Sequence, residues 1–341
     1  MILAIVAIVV GLVLLVWSAD RFVDGAVGVA QFLGMSTFLI GMIIVGFGTS
    51  APEMVVSILS AMNDAPQLAL GNAYGSNIAN IALILGVTAV ITPVAVKKQA
   101  VKQDIPILLV VTVLTIVLLM DGNASFVDGV VLLLAFVAVT TFNILAELHE
   151  KRKRKKAKLA DNADENSPAE KVSIVKSLAW LFVGLALLIG SSRMLVWGAI
   201  YMAHSLGVSD LLIGLTIVAV GTSLPELASS IAAARRGEND LAVGNVIGSN
   251  VFNTLVVVGI AAVIAPIKAM DPEVMSRDVP IMSGLTLLLF LICFPFFKSK
   301  RAKASRKKNE QFGFGRIGGT LFLILYVGYL VLLGLEANNM I

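Results

Sequence analysis

"VGFGTSAPE" occupies residues 45–53, and "VAVGTSLPE" occupies residues 218–226. The two stretches lie 173 residues apart, and the same spacing links "GNAYGSNIAN" (71–80) to "GNVIGSNVFN" (244–253). Weaker echoes keep the register: Gly25-Ala26 with Gly198-Ala199, and Gly41 with Gly214. Asp104-Ile-Pro106 corresponds to Asp278-Val-Pro280, one residue out of step. The chain is therefore written twice. Each copy places a carboxylate, Glu53 or Glu226, deep inside an apolar run.

Those runs set the class. Of 341 residues, 58% are hydrophobic and 14% charged, and the mean hydropathy is +0.93, which excludes an ordinary soluble domain. Ten stretches are long enough to cross the roughly 30 Å hydrocarbon core of a bilayer. They are 2–31, 38–62, 69–92, 104–121, 126–147, 174–202, 211–234, 241–265, 279–297 and 317–335. The first has no charged n-region and no small-residue cleavage site, so it is expected to be a retained span. Cys293 is the single cysteine, which excludes an intrachain disulfide, and His149 and His204 lie too far apart to suggest a zinc site. Neither a P-loop nor a dinucleotide fingerprint occurs. An enzyme, a cofactor and a nucleic-acid partner are not expected.

The expected fold is an all-α membrane protein of ten transmembrane helices in two inverted five-helix repeats. Inversion follows from parity, because a second copy of an odd-span unit enters the bilayer from the opposite side. Residues 1–147 form the first repeat, 148–173 a basic loop and 174–341 the second repeat. "HEKRKRKKAK" (149–158) and "KSKRAKASRKK" (298–308) are expected as solvated loops on the cytoplasmic side. Lys97, Lys98, Lys102, Arg235 and Arg236 then also fall inside, and both termini fall outside.

Inverted repeats with interrupted hydrophobic segments at matching positions point to a transport site at the midplane. A charged acid at the bilayer centre costs at least about 2.5–3.5 kcal/mol, so two of them need compensation. In sequence, only Arg235 and Arg236 bring positive charge near either motif, and they lie more than two helical turns on. A bound cation or protonation remains. Pro52 and Pro225 lack an N–H, which frees the carbonyls of Gly48 and Gly221. Thr49 shares a helical face with Glu53, and Thr222 with Glu226. This all-oxygen set suits a hard cation, and its flexibility suits Ca²⁺ over Mg²⁺. The structural alternative is a proline kink with a protonated glutamate. Asn72, Ser76 and Asn80 form one stripe, repeated by Asn245, Ser249 and Asn253. They offer neutral oxygens to a cation or hydrogen bonds between helices. Gly71 and Gly75, like Gly244 and Gly248, form GxxxG faces for close packing. Arg21 is expected to pair with Asp20 or Asp24, and Asp104 and Asp278 to sit at helix N-termini.

With "GTSAPE", "GNAYGSNIAN", "GTSLPE" and "GNVIGSNVFN" in place, the whole chain resembles the cation/Ca²⁺ exchanger superfamily, specifically its Na⁺/Ca²⁺ exchanger branch. The resemblance implies an antiporter that trades Na⁺ against Ca²⁺ by alternating access, with spans one and six sliding across the other eight. It implies a central Ca²⁺ site of Glu53 and Glu226 with the oxygens of Thr49 and Thr222. Ser50, Ser76, Asn80, Ser223, Ser249 and Asn253 are implied at flanking Na⁺ sites. The brevity of the central loop suggests a prokaryotic inner-membrane member with its site complete in one chain. Several relatives, K⁺-dependent ones among them, carry Asp where this chain has Asn253, so exchange here is expected not to need K⁺. A Ca²⁺/H⁺ antiporter is the nearest other reading. A cation channel or a non-transporting membrane component is the reading from another class.

Overall fold

The computed structural model describes residues 1–63, 66–96, 100–160, 173–206, 219–294 and 312–337, with backbone alone at 154–160, 219, 312, 314 and 337. Long apolar runs become helices because only a helix or a closed barrel satisfies every backbone group inside a bilayer. In chain order these are α1 (Ile2–Leu33), α2 (Thr37–Thr49), α3 (Ala51–Met62), α4 (Pro66–Ile91), α5 (Ala100–Leu119) and α6 (Phe126–Ala160). The second half supplies α7 (Ile174–Ser205), α8 (Ala219–Thr222), α9 (Leu224–Arg235), α10 (Asn239–Ile264), α11 (Val274–Cys293) and α12 (Arg316–Ala337).

Eight of these helices are each long and apolar enough to cross a membrane, and the bent pair α2 and α3 makes a ninth span. Residues 211–218 of the expected seventh span lie outside the described residues, so the count of ten is not reached among them. The expected basic loop also needs correction at its start. Helix α6 runs on through the lysine- and arginine-rich stretch to Ala160. Charged side chains with long stems sustain a helix after it leaves the bilayer. The all-helical expectation meets one further exception. Strand β1 (Val94–Val96) pairs antiparallel with β2 (Phe312–Phe314), and an isolated bridge joins Ala124 to Ile267. These short pairings satisfy backbone groups just outside helix ends.

The repeat is legible in the backbone. Helix α3 maps onto α9, and α4 onto α10, at the 173-residue offset. Even a local defect recurs. A π-helical turn at Asn80–Ile84 in α4 is matched at Asn253–Val257 in α10. Another at Ala100–Asp104 in α5 is matched at Val274–Asp278 in α11, one residue out of step as the sequence had it.

Contacts between α1 and α7 show the inversion directly. A methyl group on Gly25 would lie 2.3 Å from the Leu181 amide nitrogen and 2.7 Å from the Ser177 carbonyl. One on Gly198 would lie 2.8 Å from the Ala4 carbonyl and 3.3 Å from the Ile8 nitrogen. Adding the offset to Gly25, Ala4 and Ile8 gives Gly198, Ser177 and Leu181. The two helices are thus antiparallel and related by a two-fold axis between them.

Helices α4 and α10 form the centre and are the most buried spans among the described residues. Gly244 and Gly248 let α10 approach α2, where added methyls would meet the Phe38 and Met42 carbonyls at 2.4 and 2.2 Å. Gly71 and Gly75 face open space among the described residues, and the positions equivalent to Phe38 and Met42 lie outside them. The outer helices turn apolar side chains outward: Ile2 is 81% exposed and Ile317 90%. In water such a surface would aggregate, whereas lipid covers it. Where the middle of α1 passes the start of α7, Trp17 and Trp180 meet edge to face, and the Arg21 guanidinium lies 5.7 and 5.4 Å from their ring centres. Arg21 pairs with Asp24 at 3.2 Å, and Arg236 at the end of α9 reaches Asp20 and Asp24.

Candidate functional site

Two helix breaks build the site. At Ser50 the backbone leaves the helical region (φ −82°, ψ 3°), and α3 departs from α2 at 45°. Ser223 repeats the break between α8 and α9 (φ −90°, ψ 7°). Pro52 and Pro225 each follow as the second residue of the new helix, where a missing N–H leaves nothing unpaired. Glu53 and Glu226 come next, in the first turns of α3 and α9. Those turns carry unpaired N–H groups and the positive end of the helix dipole, which favour an acid there.

Both glutamates are 1% exposed. They are electrostatic neighbours across the two halves. Ser50 Oγ donates to Glu226 Oε1 at 3.3 Å, which ties the first break to the second acid. Thr49 Oγ1 lies 3.0 Å from the Val45 carbonyl and 3.1 Å from Asn245 Oδ1. Asn245 Nδ2 lies 3.3 Å from the Glu226 carbonyl, and Asn72 Nδ2 sits in the equivalent place, 3.5 Å from the Glu53 carbonyl. Ser249 Oγ lies 3.5 Å from the Gly46 carbonyl. Asn80 donates to Asn250 Oδ1 at 2.9 Å. Ser76, Ser223, Ser249, Asn80 and Asn253 are buried, and Thr222 is half-buried.

What these groups leave unused is informative. Glu53 Oε2, Glu226 Oε2, Asn80 Oδ1, Asn253 Oδ1 and Ser223 Oγ are all buried without a hydrogen-bond partner among the described residues. The first four fall into two pairs at the 173-residue offset. A buried acceptor without a donor costs about 1–3 kcal/mol, and more when charged. Such a concentration of bare oxygen is matched by a desolvated hard cation. No cluster of three or more acid, histidine or cysteine side chains occurs among the described residues, so the negative charge of the site rests on two glutamates.

Some features escaped the sequence reading. Ser192 of α7 donates to the Gly221 carbonyl at 3.1 Å, so this proline-freed oxygen is already engaged. Arg193 also lies closer than Arg235 and Arg236 suggested. It lines a cavity of about 290 Å³ with Pro52, Thr222 and Pro225. Its place in the middle of an apolar span was the available signal. Asn77 donates to Thr254 at 2.8 Å and Asn250 reaches the Asn77 carbonyl at 3.5 Å, which pins α4 to α10. Asn77 lies one position off the Asn72, Ser76 and Asn80 stripe, yet it too meets α10, at Thr254.

The sequence profile described as "Sodium/calcium exchanger protein" matches residues 3–145 and 176–335. The chain belongs to the sodium/calcium exchanger family. It is therefore a membrane exchanger of cations for Ca²⁺ and not an enzyme, and its ions are substrates rather than cofactors. Its similarity to "Putative antiporter CaxA" of Alkalimonas amylolytica is 41% identity over 98% of this chain and 99% of that protein. "Inner membrane protein YrbG" of Escherichia coli (strain K12) is 38% identical over 86% of this chain and 90% of that protein. Among solved structures, the sodium-calcium exchanger NCX_Mj soaked with Na⁺ and Ca²⁺ superposes with a TM-score of 0.76 at 33% identity, over 96% of this chain and 97% of that one. The family membership bears out the exchanger reading and sets aside the channel and the non-transporting component.

Proposed function

We propose that this exchanger couples Ca²⁺ to Na⁺, at a site formed by Thr49, Ser50, Glu53, Ser76, Asn80, Thr222, Ser223, Glu226, Ser249 and Asn253. The observation that carries the reading is the set of buried, unpartnered oxygens shared by the two halves. Glu53 and Glu226 supply the two charges that a desolvated Ca²⁺ needs. Serine and asparagine oxygens, neutral and flanking, suit Na⁺ once Ca²⁺ has left. One set of oxygens serving two ions in turn makes occupancy mutually exclusive, which is what exchange requires. The name of the NCX_Mj structure supports Na⁺ as the second ion.

The site is complete in a single chain, with residues 1–147 and 174–341 each giving half and residues 148–173 joining them. The breaks at Ser50 and Ser223 place each acid at a helix start that faces the symmetry-related half. Alternating access then moves α1 and α7 together, since they pack as one antiparallel pair over the breaks. The basic segments place 148–158 and 298–308 in the cytoplasm and both termini outside. The kinship with an inner membrane protein supports that membrane as the location.

The test is ⁴⁵Ca²⁺ uptake into proteoliposomes under an outwardly directed Na⁺ gradient, with pH clamped equal on both sides. Uptake that follows the Na⁺ gradient is expected. Uptake driven by a pH gradient and indifferent to Na⁺ would replace this reading with a Ca²⁺/H⁺ antiporter.

A further inference from the structure

The two halves differ sharply at one pair of equivalent positions. In the second half, two carboxylates meet at the start of α11 and the end of α12, Asp278 and Glu336. Arg277 joins them. Its Nε and Nη2 fork onto Asp278 at 2.8 and 3.0 Å, and its Nη1 contacts Glu336. Tyr329 adds a hydroxyl to Asp278 at 3.0 Å. One guanidinium thus holds two acids together, which is its usual service to carboxylates.

In the first half, the corresponding pair of helices carries two acids again. Asp104 matches Asp278 near the start of α5, as the last residue of the equivalent π-helical turn. Glu147 lies on α6, the last span of its half, as Glu336 lies on α12. The two acids are 3% exposed each and are electrostatic neighbours. The position of Arg277, however, is taken by Gln103. Its amide nitrogen donates sideways to Asn143 Oδ1 at 3.1 Å, one turn before Glu147 on the same face of α6. Among the described residues, Glu147 receives only the neutral donors of Ser36, its N–H and its hydroxyl, each at 3.0 Å. Asp104 Oδ2 is buried without a partner among the described residues. The nearby Lys151 turns its ammonium to the Leu33 carbonyl at 2.6 Å instead. No basic side chain pairs with either acid among the described residues.

Two buried carboxylates without a counter-charge are unstable against either losing a charge or gaining a cation. The other half answers the same problem with a covalent cation. We propose that Asp104 and Glu147 hold a bound metal cation in the place that Arg277 occupies in the second half. The site is distinct from the central one and lies at the end of the bundle from which the basic segment of α6 emerges. Its ligands are oxygens only: the Asp104 and Glu147 carboxylates, with Ser36 Oγ and the Gln103 carbonyl within the same helix ends. A single guanidinium suffices in the second half, so the cation expected is a monovalent one. Bound there, it fastens the ends of α2, α5 and α6 to one another.

The inference does not depend on the central site, and the test removes both central glutamates. Purified chain carrying Glu53→Gln and Glu226→Gln is melted at fixed pH and ionic strength, in choline and then with Na⁺, K⁺ or Ca²⁺ in its place. Na⁺ or K⁺ is expected to raise Tm by roughly 5–10 °C at a hundredfold excess over its Kd. Adding Gln103→Arg should abolish that rise while raising Tm in choline, because the arginine now supplies the charge. Asp104→Asn should abolish the rise too. The proposal is overturned if no metal cation raises Tm, or if the rise survives both substitutions. A Tm that follows pH alone, with no response to metal, also overturns it and assigns a proton to the pair. Should the doubly substituted chain not purify, Gln103→Arg in the otherwise unchanged chain must lower the number of metal cations bound per chain by one, and an unchanged number contradicts the site.

Discussion

Glu53 and Glu226 sit at the same place in two copies of one motif, and each keeps one carboxylate oxygen free of hydrogen bonds among the described residues. Replacing either by glutamine keeps the shape and removes one of two charges. Leaving a buried ionic site short of one partner costs about 3–5 kcal/mol, so Glu53→Gln and Glu226→Gln should each lower Ca²⁺ exchange by roughly a hundredfold or more. Both variants should still purify as folded monodisperse protein. Ca²⁺ flux near that of the unchanged chain in either would remove it from the site. Asn253 mirrors Asn80, and its amide oxygen can touch a cation without adding charge. Exchange should therefore proceed with K⁺ replaced by choline on both sides, and arrest under that replacement would contradict the role given to Asn253. Most of these residues were legible in the sequence, because an acid, a proline and two hydroxyls inside an apolar run are costly and recur at a fixed offset. Ser192 and Arg193 were not. They belong to a different helix, and their approach to Thr222 and Gly221 is set by packing between α7 and α8, which no local pattern records.

At the scale of elements, α1 and α7 come within backbone contact of each other, and glycine makes it possible. A methyl on Gly25 would strike the Leu181 backbone nitrogen at 2.3 Å, and backbone cannot step aside as a side chain can. Gly25→Ala should destabilise by about 1–3 kcal/mol through overpacking, a fall in Tm of roughly 2–10 °C. Gly190→Ala on the same α7, where nothing lies within 4 Å, should leave Tm unchanged or slightly higher. Equal melting of the two variants would argue against glycine-mediated packing of this pair. The repeat offset announced Gly25 and Gly198 as equivalents, yet nothing in either sequence said that they face each other's helix. The π-helical turns at Asn80–Ile84 and Asn253–Val257 were equally invisible. They begin at the buried amides Asn80 and Asn253, and a periodicity of 3.6 residues averages over one widened turn. The β1 and β2 pairing joins residues more than two hundred positions apart, beyond any local pattern.

For the whole molecule, parity and the positive-inside rule together predict both termini on the outer face. Single cysteines at 151–158, in a chain with Cys293 replaced by serine, should resist a membrane-impermeant maleimide in intact cells and react after permeabilisation. Ready labelling in intact cells would reverse the orientation. The inversion itself needs no such test, since α1 and α7 exchange contacts at one constant offset. At the meeting point of the two halves the proposed site is one set of oxygens that Ca²⁺ and Na⁺ occupy in turn. Equilibrium binding of ⁴⁵Ca²⁺ to the purified protein, titrated with Na⁺ at constant ionic strength, tests this most directly. The account predicts that Na⁺ displaces Ca²⁺ fully while choline does not, and that Glu226→Gln binds no Ca²⁺ at concentrations that saturate the unchanged chain. Ca²⁺ that stays bound through the Na⁺ titration, or binds equally well to Glu226→Gln, would contradict it.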